Sequence, residues 1–162
     1  MAQLRYKPEN INPQGKPRVY FACHEQDFKG YFQTICDDIL KISNCAVYYY
    51  EEEPEQDEDF FLNLGRMNLL VMPVTSRLLY LPNRAMDVEF SYAAAHHIPV
   101  LPLMQESGLE EKYKEKFGDL QFLNKYDPDP TALPYADKLK KYLEAVLVGD
   151  ALAERIRAAL DA

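Results

Sequence analysis

Asn68-Leu69-Leu70-Val71-Met72-Pro73-Val74-Thr75 and Ile98-Pro99-Val100-Leu101-Pro102-Leu103-Met104 are two short apolar runs, and the stretch between them, Asn83 to His97, has helical character. Continuous apolar runs of this length are the mark of strands covered on both faces. Strand, crossover helix, strand is the unit of a parallel sheet, since a parallel partner is reached only over a long connection. On that helix Glu89 stands among Met86, Val88, Phe90, Tyr92 and the alanines 93 to 95. A carboxylate in such company costs free energy unless something uses it, which makes Glu89 the first candidate for chemistry.

Working upstream, Arg18-Val19-Tyr20-Phe21-Ala22-Cys23 is the expected first strand and Cys45-Ala46-Val47-Tyr48-Tyr49-Tyr50 the second. Between them Asp27 offers an N-cap oxygen, Phe28, Phe32, Ile35, Ile39 and Ile42 keep helical spacing, and Ser43-Asn44 ends the helix. Residues 51–59 are almost wholly acidic and form a solvated loop, because like charges repel; they lack the alternating oxygen spacing of a calcium loop. Phe60 to Met67 is a short helix ending near Gly65. Downstream, Glu106 to Phe117 is a charged helix and Leu120-Gln121-Phe122-Leu123 a short fifth strand. Asp127-Pro128-Asp129-Pro130 is a breaker, and Leu139, Tyr142, Leu143, Val146 and Leu147 mark a last amphipathic helix.

Five strands alternating with helices predict an α/β fold: a flavodoxin-like three-layer αβα sandwich around a five-stranded parallel sheet of order 2-1-3-4-5. Residues 1–17, with Pro8, Pro13 and Pro17, are expected to be a flexible leader outside it. Residues 18–148 form the domain. Residues 149–162 are expected as a helical extension, broken from it at Gly149-Asp150 and leading to a further region, because Leu152, Ile156, Ala159 and Leu160 carry an apolar stripe up to Ala162.

A chain of 162 residues fits one domain with an adequate core. Its formal charge of −8 argues against nucleic acid or an anionic membrane surface as partner. No run approaches the ~20 apolar residues of a membrane span. Cys23, Cys36 and Cys45 have no metal-ligand spacing and are expected as reduced thiols of a cytoplasmic protein.

In parallel sheets, ligands bind beyond the carboxyl ends of the strands. The loops there begin at Cys23-His24-Glu25-Gln26, at Glu51, at Thr75-Ser76-Arg77 and at Gln105. None carries a phosphate-cradling glycine pattern or a serine nucleophile elbow, which sets aside ATP hydrolysis and dinucleotide redox chemistry. A phosphate-switched receiver would need an aspartate where Thr75 ends its strand. With Met86, Phe90, Ala93, Ala94 and His97 taken as the sheet-facing stripe, Glu89 falls on its flank, able to look along the helix into a cleft. The alternative is plainer: Glu89 pairs with Arg84 or Arg77 and only stabilises. His96-His97 suits a helix C-terminus, Tyr48 to Tyr50 a strand with both faces covered, and His24 a position at the cleft.

These segments, in this order, resemble a Toll/interleukin-1 receptor (TIR) domain over about Arg18 to Val148. The resemblance lies in Val19-Tyr20-Phe21-Ala22-Cys23-His24-Glu25-Gln26-Asp27-Phe28, in Asn68 to Ser76, in Asp87-Val88-Glu89-Phe90-Ser91-Tyr92-Ala93 and in Ile98 to Leu103. In the enzymatic, mostly prokaryotic branch of that family, a glutamate at the position of Glu89 cleaves NAD⁺ to nicotinamide and ADP-ribose or its cyclic form. The resemblance therefore implies an NAD⁺ nucleosidase with Glu89 as the catalytic residue. Substrate contacts are expected from Cys23, His24, Phe60, Phe61, Ser76 and Arg77, with NAD⁺ as substrate rather than cofactor and no metal. It further implies a bacterial defence effector activated through self-association, or else a non-catalytic TIR interaction module. Three departures stand out: Ala22-Cys23 replaces the common serine or tyrosine, Ala85 an often aromatic residue, and an acidic segment with Pro54 a loop that usually carries glycine.

Overall fold

The computed structural model describes residues 2–125 and 135–147, in which both apolar runs are buried strands of one mostly parallel α/β sheet. The strands are β1 (Arg5–Lys7), β2 (Arg18–Phe21), β3 (Ala46–Tyr49), β4 (Leu69–Val74), β5 (Val100–Met104) and β6 (Leu123–Asn124). The helices are α1 (Phe28–Ile42), α2 (Glu58–Gly65), α3 (Ser76–Tyr80), α4 (Ser91–Ala95), α5 (Glu110–Phe117) and α6 (Tyr135–Leu147), with a π-helical turn, Ala85–Phe90, running into α4.

The sheet has six strands in the order β1-β3-β2-β4-β5-β6. The expected sheet of five strands is corrected in count and order by β1, which lies in the segment expected to stay outside the fold. Arg5, Tyr6 and Lys7 pair antiparallel with Tyr49, Tyr48 and Val47. The Tyr6 and Tyr48 rings lie 5.7 Å apart, so a cross-strand aromatic pair ties the N-terminal segment down. Three residues are too few to show an alternating pattern, and the flanking prolines draw the eye to a coil. The breaker at 127–130 and the extension at 149–162 lie outside the described residues.

Strand side chains sort by the period of two. Odd-numbered Val19, Phe21, Val47, Tyr49, Leu69, Val71, Leu101 and Leu103 face α1 and α6. Even-numbered Tyr20, Leu70, Met72, Val74, Val100 and Met104 face α2, α3, α4 and α5. Leu139, Leu143 and Leu147 of α6 recur every four residues on the first side, each stabilising by roughly 1.5–3 kcal/mol.

Proline inside a sheet must have its missing N–H where no ladder bond is due. In β4 the ladder to β2 closes with Ala22 N–H donating to Val71 O, so Pro73 turns its nitrogen toward β2 past the last bond. In β5 the Met104 carbonyl accepts from Lys125 N on the β6 side, which places the Pro102 nitrogen on that side too, just before β6 begins.

Asp27 does not cap α1 with its side chain. A 3₁₀ turn over Glu25–Asp27 leads into α1, and His24 caps that turn, its Nδ1 accepting from Gln26 N at 3.1 Å. The Asp27 carboxylate, 1% exposed, instead accepts from Thr75 Oγ1 at 2.5 Å and from Arg77 Nη1 at 3.0 Å. That bond set fastens the loop after β2 to the start of α3. Among the described residues, no helix is long and apolar enough to cross a membrane.

Candidate functional site

The π-helical turn decides where Glu89 points. Its i→i+5 bonding widens the coil, so a phase counted at about 100° per residue fails beyond it. The residues turned inward are Ala85, Glu89 and Ala93, while Ala94 and His97 are exposed. The stripe expected from the sequence is corrected accordingly. Glu89 lies not on a flank but on the inward face, 0% exposed.

There its Oε2 accepts a hydrogen bond from the Tyr20 hydroxyl, which rises from β2. Its Oε1 lies 3.4 Å from Arg84 Nε without hydrogen-bond geometry, so both of these buried atoms are left without a hydrogen bond. The outer side of the same guanidinium is better held: Arg84 Nη1 donates to Glu53 Oε2 at 2.7 Å. The guanidinium carbon also stands 6.0 Å from the centre of the Tyr50 ring, at the edge of cation–π range. A chain of contacts thus runs from the acidic loop through Arg84 to Glu89 and Tyr20.

Burial pushes the Glu89 carboxyl above its ordinary value, against Arg84 and the Tyr20 hydrogen bond, which pull it down. Burial, helped by the charge of Glu89, drives the Tyr20 phenol well up, which keeps it a donor. Burial likewise raises the Cys23 thiol far above its usual range, with Asp27 and Glu89 adding to the effect. In this closed arrangement the thiol is held protonated and unreactive, and it gains nucleophilic thiolate only where solvent reaches it.

Two hollows open beside this chain of contacts, at the carboxyl ends of β2 and β3. The smaller, about 120 Å³, is walled by Phe21, Cys23, Phe28, Tyr50, Glu53 and Arg84, among others. The larger, about 380 Å³, has Tyr50, Phe60 and Asn63 below an acidic rim that includes Glu55, Asp57 and Asp59. Tyr50, Glu52 and Glu53 border both, so the acidic loop is the partition between them.

Of the residues expected to touch substrate, Cys23 shares the smaller hollow with Arg84, and Phe60 lines the larger. Phe61 packs instead between Phe60 and Tyr92, with ring centres at 5.0 and 5.6 Å. His24 is buried and spent on its capping bond. Ser76 and Arg77 line neither hollow: Ser76 N donates to Glu106 Oε2 at 2.6 Å, and Arg77 holds Asp27. Sequence reasoning misses Tyr20 and Glu53 as site residues, and it reads Tyr50 as part of a covered strand rather than an aromatic clamp. The phase of Tyr20, on the same sheet face as the helix bearing Glu89, was the one available signal. Among the described residues, no group of three or more His, Cys, Asp or Glu side chains is arranged to hold a metal ion.

No family model matches this chain, and no curated protein matches it. Among solved structures, a protein of Burkholderia pseudomallei described as pilus assembly-related superposes with a TM-score of 0.49 at 13% identity, over 90% of this chain and 96% of that one. A likeness at that level carries no argument about chemistry or partners here.

Proposed function

We propose that this chain is a TIR-like domain that cleaves the nicotinamide–ribose bond of NAD⁺, standing here in a closed form. In this reading the five parallel strands β3-β2-β4-β5-β6 are the flavodoxin-like set and β1 is an addition to it. The observation that carries the reading is Glu89: a fully buried carboxylate with one oxygen left without a hydrogen bond, one side chain behind a hollow at the carboxyl ends of parallel strands. Such a group is expensive to keep, and the order of sequence segments around it resembles that of a TIR domain, with Glu89 at the position matching the glutamate of the NAD⁺-cleaving branch.

The reaction asks little of the protein. The C1′–N bond breaks with its electron pair passing to the nicotinamide ring, which leaves as a neutral base and needs no general acid. An oxocarbenium-like ribose is left, whose positive charge a nearby carboxylate stabilises. Water, or a nucleophile within the substrate in the cyclic route, then bonds to C1′, and water releases a proton to solvent. Ligand sites of this kind span about 300–1,000 Å³, so the smaller hollow must be enlarged before a dinucleotide can reach Glu89. Self-association, in a cytoplasmic and defence-type setting, is the activating event that the family resemblance suggests.

A second reading, a non-catalytic TIR-like interaction module, is favoured by the zero exposure of Glu89 and its pairing with Arg84. Nicotinamide release from NAD⁺ by concentrated protein separates the two. The cleavage reading expects release, and expects Glu89→Gln, with its cooperative melt retained, to lower it by roughly 10²–10³-fold. Equal release from parent and variant removes Glu89 from the chemistry. No release from the parent or from a form with the acidic loop displaced leaves the interaction module.

A further inference from the structure

Arg84 is held unequally by two carboxylates. The outer contact, to Glu53, is a hydrogen-bonded ion pair at 2.7 Å; the inner one, to Glu89, is 3.4 Å long and makes no hydrogen bond. The guanidinium is therefore satisfied by the loop rather than by the buried acid beneath it. Glu53 sits in a segment where Glu51, Glu52, Glu55 and Asp57 repel one another and where its own side chain is 55% exposed. Pro54, the next residue, is buried and anchors the loop beyond Glu53, so the stretch the ion pair holds is Glu51 to Glu53; the loop's other polar fastenings are peripheral. Arg5 and Glu51 are 4.0 Å apart on the surface, and Asp57 is turned to α2, its Oδ1 accepting from Phe60 N at 3.0 Å.

We propose that the Glu53–Arg84 ion pair is a latch: it holds the acidic loop across the hollow containing Cys23, and its release joins the two hollows and opens the way to Glu89. The cleavage reading above supplies the purpose of the opening, while the latch itself rests on the contacts alone. A latch explains why the better hydrogen bond of Arg84 is spent on an exposed loop carboxylate. It also explains why one short segment forms the wall of both hollows.

Cys23 reports on the latch without any assay of activity, because its thiol faces the smaller hollow and is 8% exposed. The intact chain and its variants are treated with iodoacetamide, and modification of the Cys23 peptide is followed by mass spectrometry. Glu53→Ala, a change at an exposed loop position, should speed modification roughly five- to ten-fold, as expected for loss of a charge-assisted bond that governs local opening. Glu53→Gln, which can still accept a bond from Arg84, should fall between. Glu52→Ala removes an equal charge from the same hollow but no bond to Arg84, and should change the rate less than about two-fold. A Cys23 rate in Glu53→Ala no faster than in Glu52→Ala overturns the latch and leaves the cleavage reading standing. Faster modification without nicotinamide release by any form supports the latch and removes the cleavage reading.

Discussion

Glu89 is ringed by a phenol, a guanidinium and apolar side chains, and its protonation is tied to folding. Burial raises its carboxyl above the ordinary glutamate value of 4.5. The folded chain therefore binds this proton more tightly than the unfolded chain does. Its contribution is fully present below the unfolded value and is lost as pH rises through the folded value. Glu89→Gln cannot titrate, so its stability relative to the parent should climb as pH rises from about 4.5 upward and level off once the folded carboxyl has ionised. Urea midpoints of the two proteins across that range measure it; a constant difference would mean an ordinary carboxyl. The unusual placement of Glu89 is legible because an acid among Met86, Val88, Phe90 and Tyr92 is out of place, and the structure buries it. The sequence offers Arg77 and Arg84 alike as its partner; in the structure it is Arg84, and Arg77 is spent on Asp27. Glu53 was illegible: it lies 31 residues from Arg84, and acids on either side of it look the same in one dimension.

Helices α2 and α4 meet where Gly65 ends the first and Tyr92 opens onto it. A Cβ on Gly65 would stand 2.8 Å from the Tyr92 hydroxyl oxygen. The Tyr92 ring is fixed from two other sides, by Phe61 at 5.6 Å and by the His96 ring stacked at 4.0 Å, so the hydroxyl has limited room to yield. Gly65→Ala alone should lower the thermal midpoint or leave it unchanged, because the gain in helix propensity meets this clash. In a Tyr92→Phe background the same change should stabilise by about 0.5–1 kcal/mol, the ordinary advantage of alanine over glycine in a helix. Helix identities were legible from periodicity, but two features were not. The five-residue α3 is too short to show a period, and the π-helical turn breaks the count on which any helical phase is judged.

At the scale of the molecule, the two apolar runs and their crossover were enough to foresee an α/β sheet, because strands buried on both faces leave no alternation to misread. The edges were harder, since an edge strand is short by nature and owes its place to its neighbour rather than to its own sequence. β1 covers the outer side of β3 with three residues, and removing it should matter more for association than for folding. Deletion of residues 2–7 is expected to leave a cooperative melt and to produce dimers or larger species at concentrations where the parent sediments as one species. A variant that stays monomeric would mean that β3 has another guard. The opposite border is defended differently. Pro102 denies β6 the bond that would lengthen it toward its N-terminal side. Where β5 runs on past β6, a stranger's backbone would meet at Pro102 a nitrogen with nothing to give, so pairing along that stretch lacks a rung by covalent structure, whatever the charge or concentration of the solution around it.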